Sequence, residues 1–450
     1  MDITSSVYGF IQDIEKNPSQ SLISLTVANK DNILFNFKKE PYIKNGKQLV
    51  FSVTKSFVSL AIGMIYDKGL IQLDDSIMKY LGAYAPKDLD SKMKDITIRH
   101  LLTMTSGVVD ENIYKMIESN DFRTYYLSQT VKYTPGTHYH YHSLSTHMLS
   151  AIFTEATGVL VEDYLEENLL KPIGIYNFKF ARANEGITFG GYGLSIDEIG
   201  LTKLGQLLLN HGNVKGVQYI SKAYLDLATS PQAIKQDYVG NPGTKSIGFQ
   251  YGFQFHVSPN LSYRADGAFG QVVVIYKGLA IITTMRYTDY EYLYEMIYKH
   301  FNEEPVVKAS PDALDQYLKT LTFKIDMKDF KVPLNQSYTL KDNPLKIKEV
   351  EFNHHGVILT YQDLRKNEFN YNQKQDTFGK SYAPKDFYFT EQPHFVNASW
   401  VEKDLLKLQV LYVETPIISD YYFRFIGNTL ELEYKTSGNF LVGGFKVTSI

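Results

Sequence analysis

The sequence predicts an α+β protein in two parts: an antiparallel sheet flanked by helices, with a helical lobe inserted, and then an antiparallel, β-barrel-like domain. Three observations carry this. Strand-like runs stand near both ends of the first three hundred residues, helical periodicity fills the stretch from about 74 to 230, and two-residue periodicity with frequent turns runs from about 322 to the last residue. Strands at both ends of a segment whose middle is helical imply one sheet assembled from N- and C-terminal pieces, with the middle as a lobe beside it. A site would then lie between sheet and lobe.

The elements follow in order. Val7, Phe10, Ile11 and Ile14 are spaced for a first helix, and residues 22–27 and 33–37 read as a hairpin. Phe57, Leu60, Ala61, Met64 and Ile65 recur at helical spacing in the next element, which Gly69 closes as a C′ residue. Helices are expected over 98–104, over 144–156 ending at Gly158, and over 196–209. Strands are expected over 248–257, 271–276 and 279–284, with a Lys277-Gly278 turn between the last two. The run Val272-Val273-Val274-Ile275 suits a strand buried on both faces. Helices over 290–301 and 312–321 come next, then strands such as 356–361, 406–413 and 429–434. The domains predicted are 1–305, a linker at 306–317, and 318–450, the last being lipocalin-like or sandwich-like.

The chain has 450 residues, 44% hydrophobic and 21% charged, enough for two or three domains. A formal net charge of −3 gives no electrostatic reason to expect nucleic acid or an anionic membrane. There is no cysteine, which excludes disulfides, thiolate zinc sites and a cysteine nucleophile. No run is long and apolar enough for a membrane span, and the start Met1-Asp2-Ile3-Thr4 carries no signal-peptide pattern, so a cytoplasmic location is expected if Met1 is the true start.

The chemistry begins at Phe51-Ser52-Val53-Thr54-Lys55-Ser56. Positions i and i+3 share a helix face, so Lys55 can bring its amine to the Ser52 hydroxyl, and a helix N-terminus supplies free N–H groups and a positive field. Spacing alone is weak: Ser91-Lys92-Met93-Lys94 repeats it, but follows a polar run and opens no apolar helix, so it reads as a solvated loop. A protonated lysine cannot accept a proton, so either burial and nearby cations lower its pKa or a second base shares the work. Tyr141, in His140-Tyr141-His142-Ser143 just before an apolar helix, is the candidate shuttle.

With these blocks in order, the chain resembles the serine β-lactamase and penicillin-recognising hydrolase superfamily, especially its class C-like esterases, D-amino-acid peptidases and amide hydrolases. The resemblance covers roughly residues 20–300. Ser52 to Lys55 looks like the nucleophile motif, and Leu70-Ile71-Gln72-Leu73-Asp74 with Ile98-Arg99-His100-Leu101-Leu102-Thr103-Met104-Thr105-Ser106-Gly107 is similar to a mainly structural block. Tyr141-His142-Ser143 resembles Tyr-x-Asn, with Ser143 where Asn is usual. Ala265-Asp266-Gly267-Ala268 stands where the family usually has Lys-Thr-Gly or His-Thr-Gly, so the usual cation is replaced and Asp266 brings a carboxylate towards the site. The resemblance implies that Gly267 lets substrate approach the strand edge and that the Ala268 N–H joins that of Ser52 as an oxyanion hole. Lys435-Thr436-Ser437-Gly438 is one residue too long and in the wrong domain.

Competing patterns are weaker. His138, His140 and His142 would share one face of an extended segment, as zinc ligands can, but no carboxylate stands beside them. Gly193-Leu194-Ser195-Ile196-Asp197 lacks the second glycine of an α/β-hydrolase elbow, and no dinucleotide fingerprint follows the first strand. The sequence therefore points to a serine hydrolase with no cofactor and no metal, acting through an acyl-enzyme on a small ester, amide or D-amino-acid-containing peptide. Weak or no β-lactamase activity is expected. A catalytically impaired binding protein is the alternative, and the C-terminal domain either covers the cleft or mediates homo-oligomers.

Overall fold

The computed structural model describes residues 1–42, 46–110, 112–236, 247–302, 304–323, 335–370, 377–385, 388–438 and 442–450. Contacts divide the chain into two units, Met1–Lys38 with Val50–Gln316, and Lys39–Leu49 with Tyr317–Ile450.

In the first unit, helix α1 (Ile3–Lys16), capped by the Asp2 carboxylate, precedes a hairpin of β1 (Ser21–Ala28) and β2 (Ile33–Lys38). Next come α2 (Val53–Asp67), the short α3 (Ile98–Leu102), α4 (Ser143–Thr157) and α5 (Glu198–Leu209). The later strands are β3 (Ala233–Ile234), β4 (Gln250–Tyr251), β5 (His256–Val257), β6 (Tyr263–Gly267), β7 (Gln271–Tyr276) and β8 (Leu279–Tyr287), followed by α6 (Tyr290–His300). Among the described residues these strands make one eight-stranded sheet in the order β2-β1-β8-β7-β6-β5-β4-β3. The N-terminal hairpin joins the C-terminal strands through an antiparallel β1–β8 ladder from Ser21–Tyr287 to Ala28–Ala280, so the sheet is indeed built from both ends of the segment. Val272, Val273 and Val274 are fully buried, as a strand covered on both faces requires.

One expected strand differs. Residues 248–257 form β4 and β5, which fold back on each other with Tyr251 opposite His256. The reversal is held by Gln254, at φ 65°, whose backbone N–H donates to Leu102 O (3.1 Å) and whose amide donates to the Leu101 and Leu102 carbonyls (3.0 and 2.9 Å). Its Oε1 accepts from Thr146 and its backbone carbonyl from Ser56, so one buried residue ties the sheet edge to α2, α3 and α4.

Helix α2 is the centre of this unit. Every residue from Val53 to Ile65 is buried, apolar positions and Ser56 and Ser59 alike, and the two serines donate to the Gln254 and Phe253 carbonyls at 2.8 and 2.7 Å. A buried hydroxyl so paired loses little on leaving water. Gly69, at φ 71°, ends the helix by donating to Tyr66 O, as its place in the sequence implies.

The division between units falls within α7 (Pro311–Thr320). In the second unit β9 (Gln336–Thr339), β10 (Ile347–Phe352), β11 (Gly356–Tyr361) and β12 (Lys366–Asn370) form one antiparallel sheet. A second sheet contains β13 (Thr377–Lys385), β14 (Tyr388–Glu402), β15 (Leu405–Tyr412), β16 (Ile418–Ile426), β17 (Thr429–Ser437) and β18 (Phe445–Thr448). Their inner faces share one apolar core, including Val350, Phe352, Leu359, Leu408, Phe423 and Leu432. A bridge between Leu340 and Ser449 joins β9 to β18 along one edge. Among the described residues the strands of this unit group into these two sheets, with no ladder closing them into a barrel. The segment Lys39–Leu49 groups with this unit, with Phe323 N–H donating to Glu40 O at 3.2 Å.

Candidate active site

Ser52 occupies the N-cap position of α2, where a serine usually turns its hydroxyl back onto the helix. Here its backbone is already helical (φ −69°, ψ −8°) and its side chain makes no capping bond. The hydroxyl instead accepts from Lys55 Nζ at 3.2 Å. Lys55 is 1% exposed; its ammonium also donates to Ser143 Oγ at 3.3 Å and to the Gly191 carbonyl, and it lies 4.9 Å from the centroid of the Tyr141 ring. Ser52, Lys55, Tyr141 and Ser143, named from sequence, are thus brought together. Ser91, the decoy, is exposed in a short 3-10 turn (Ser91–Asp95) with Lys94 also exposed.

A cleft of about 490 Å3 opens above Ser52. Tyr141, Asp266, Gly267 and Ala268 line it, as do Tyr139, His140, Lys235, His256, Tyr290 and Tyr294. Gly267 ends β6 against the residue pair that precedes Ser52: a Cβ there would sit 2.2 Å from the Val50 carbonyl oxygen, so only glycine permits the approach. Two phenylalanines in left-handed backbone, Phe51 (φ 47°) before Ser52 and Phe269 (φ 62°) after Ala268, flank the junction with rings 5.2 Å apart. Such conformations cost about 1–3 kcal/mol each and persist where surrounding packing enforces them. Tyr290 clamps the turn, donating to Gly267 O at 2.7 Å and accepting from Gly270 N–H at 3.1 Å.

Asp266 does reach the cleft, but it is not a bare carboxylate. Arg264, two residues earlier on the same strand face, donates to it at 3.0 Å from a fully buried guanidinium, and Tyr294 donates at 2.5 Å. The cleft also contains a lysine. Lys235, 2% exposed, donates to His256 Nδ1 at 2.9 Å and to Gly248 O at 3.2 Å. Burial, reinforced by Arg264 and offset in part by Asp266, brings the Lys235 amine down to about 7. Burial and the nearby Lys235, Arg264 and Lys55 charges hold His256 well below the ordinary histidine range, so it is neutral. Its Nδ1 accepts from Lys235, which leaves the proton on Nε2, 3.9 Å from Asp266. Ala265 brings no cation at the motif position, but a lysine from beside β3, Lys235, lines the same cleft. The sequence offered no signal for Lys235, His256 or the Gly191 carbonyl, since each meets the site only through the fold.

The three alternating histidines part company. His138 stacks on Tyr133 with ring centroids 4.0 Å apart, His140 faces the cleft, and His142 is buried as the N-cap of α4, accepting from Ser145 N–H at 3.3 Å. The middle of the Tyr141-His142-Ser143 motif therefore fixes the start of the helix, and with it the positions of its two neighbours.

A helix-flanked sheet with a serine and lysine at the head of a buried central helix defines the serine β-lactamase and penicillin-binding-protein-like superfamily. Residues 36–289 match the Beta-lactamase family, and the chain belongs to it. An uncharacterized protein of Alkalihalophilus pseudofirmus is 29% identical over 205 residues, 43% of this chain and 58% of that one. Esterase EstB of Burkholderia gladioli is 27% identical over 149 residues, 29% of this chain and 38% of the esterase. The chain thus spans less than two thirds of the length of these curated relatives. The octameric penicillin-binding protein homologue of Pyrococcus abyssi superposes over 100% of both chains with a TM-score of 0.52 at 14% identity, a likeness of fold. Hydrolysis is the class of activity that the family and its named esterase carry. Among the described residues no single helix is long and apolar enough to cross a membrane.

Proposed function

We propose that the protein is a serine hydrolase that works through an acyl-enzyme on a small ester, amide or D-amino-acid-containing peptide. The observation that carries this is the 3.2 Å contact between Lys55 Nζ and a Ser52 hydroxyl left uncapped at the helix head. Lys55, reacting as the neutral amine, takes the Ser52 proton as Oγ bonds to the substrate carbonyl carbon, and relays it to the Tyr141 oxygen. The Ser52 and Ala268 N–H groups hold the oxyanion, the carbon–leaving-group bond breaks, and Tyr141 returns the proton to the departing oxygen or nitrogen. Water then attacks the acyl carbon and restores Ser52. Ser143, bonded to Lys55 in place of the usual amide, helps hold the amine in position.

β-Lactam turnover is weak or absent in this reading, because the position before Gly267 carries a carboxylate tied to Arg264. The family likeness, including a named esterase, supports hydrolysis, and the octameric neighbour supports self-association of the full chain as a secondary reading.

A fluorophosphonate probe tests the nucleophile. Ser52→Ala is expected to abolish labelling, and both Ser52→Ala and Lys55→Ala are expected to lower hydrolysis of chromogenic esters by at least about 10³-fold with the fold intact. Wild-type turnover in either variant would sink the assignment, efficient nitrocefin hydrolysis would overturn the substrate part, and an unlabelled wild type would favour a ligand-binding protein.

A further inference from the structure

Behind Lys55, away from the cleft, lies a buried pair that the acylation chemistry does not use. His147 is fully buried on α4, one turn beyond Ser143, and its Nε2 meets Glu185 Oε1 at 2.7 Å; the Glu185 side chain is 4% exposed. The other carboxylate oxygen accepts from the Phe122 N–H at 3.3 Å. Phe189 stacks on the imidazole with centroids 4.9 Å apart and Phe122 meets it edge-on at 5.5 Å, so the ring has one orientation. In that orientation Nδ1 accepts the backbone N–H of Gly190 at 3.5 Å, which places the proton on Nε2, facing Glu185. The next residue, Gly191, offers its carbonyl to the Lys55 ammonium.

The Gly190-Gly191 segment has no slack. A Cβ on Gly190 would lie 2.5 Å from Thr146 O, and one on Gly191 2.8 Å from Ser143 O, so both residues press directly on the first turn of α4. The carboxylate fixes the imidazole, the imidazole fixes Gly190, and Gly191 supplies an acceptor that, beside Ser52 Oγ and Ser143 Oγ, orients Lys55 Nζ.

We infer that Glu185 and His147 are positioning residues for the acyl-transfer reaction: through Gly190 they hold the Gly191 carbonyl that aims the Lys55 amine at Ser52. This rests on the serine-hydrolase reading above. Because neither side chain lines the cleft, they act on the acylation step and leave substrate binding alone.

The test is the rate of Ser52 labelling by a fluorophosphonate across pH 5 to 10, together with kcat and KM for a chromogenic ester, in the full chain. His147→Asn, whose amide oxygen can replace Nδ1 towards Gly190, is expected to keep most activity. His147→Leu, which keeps volume and loses both bonds, is expected to lose about tenfold or more in kcat and labelling rate, with KM unchanged and the pH profile displaced. Glu185→Gln, retaining volume and an acceptor but able to present its amide to Nε2, is expected to fall between them. A folded His147→Leu protein with wild-type kcat and pH profile overturns the inference, and so does a drop in melting temperature alone. If His147→Leu does not fold, Glu185→Gln decides by the same criteria. Ser52→Ala labelled as well as wild type, or a wild type that is not labelled, would instead bring down the hydrolase reading on which the inference stands.

Discussion

Lys235 shows what a single residue does when the fold buries it. Its amine sits at about 7 in the folded protein against 10.5 in an unfolded chain, chiefly because burial penalises the charge. Between those values the unfolded state holds a proton that the folded state has released, so this group's contribution to stability rises with pH. Its penalty is largest at and below about pH 7 and fades towards pH 10.5. Lys235→Met keeps the length and removes the charge, at the cost of the bonds to His256 and Gly248 O. We expect a net gain of about 1–3 kcal/mol at pH 7, shrinking by pH 9, read from urea unfolding at the two values. An equal gain at both would contradict the account. The contrast with Lys55 explains what was legible. Ser52 and Lys55 are three residues apart in one helix, so sequence spacing carries their contact, whereas Lys235 and His256 meet across a sheet edge with no motif between them.

At the scale of elements, the packing of β6 on the head of α2 is the contact on which the proposed oxyanion hole depends. The helix, the β1–β2 hairpin and the turn at Lys277-Gly278 were readable because each is set by local periodicity and turn residues. The split of residues 248–257 into β4 and β5 was not, because Gln254 takes its left-handed conformation from bonds to α3 and α4, far away in sequence. The Gly267 position was flagged, but its reason is tertiary: no Cβ fits against Val50 O. In Gly267→Ala the strand end must move away from the helix, carrying the Ala268 N–H with it. Acylation in a single turnover is expected to slow by about 10²-fold, the scale of losing one oxyanion donor, while stability falls by only about 1–3 kcal/mol. An acylation rate like that of the wild type would mean that this turn does not hold the oxyanion.

Across the whole molecule, histidines wholly or partly shielded from water contribute to the response to acid. His100, His256 and His300 in the first unit and His394 in the second are all lowered, in each case chiefly by burial. An unfolded histidine takes up its proton below about pH 6.5, whereas His394 resists until about 4, so the folded state loses stability as pH falls through that window. The second unit had been legible as an antiparallel β domain from its alternation, yet its interior proves partly polar in a way alternation cannot signal. His394 lies between Phe369 and Tyr412, and its Nδ1 is bonded to Ser381 Oγ at 2.9 Å, which in turn is 3.0 Å from Tyr412 Oη. At pH 5 this one group costs the fold about 2 kcal/mol relative to pH 7.5. His394→Gln, which keeps a polar partner for Ser381 and cannot titrate, is expected to be less stable than wild type at pH 7.5 and to lose less on going to pH 5, by about that amount. Because the residue belongs to the second unit's core and not to the Ser52 cleft, labelling of Ser52 at pH 7.5 should be unchanged in the same variant. Thermal melts at the two pH values measure the difference, and parallel losses in the two proteins would show that His394 does not carry the acid sensitivity assigned to it.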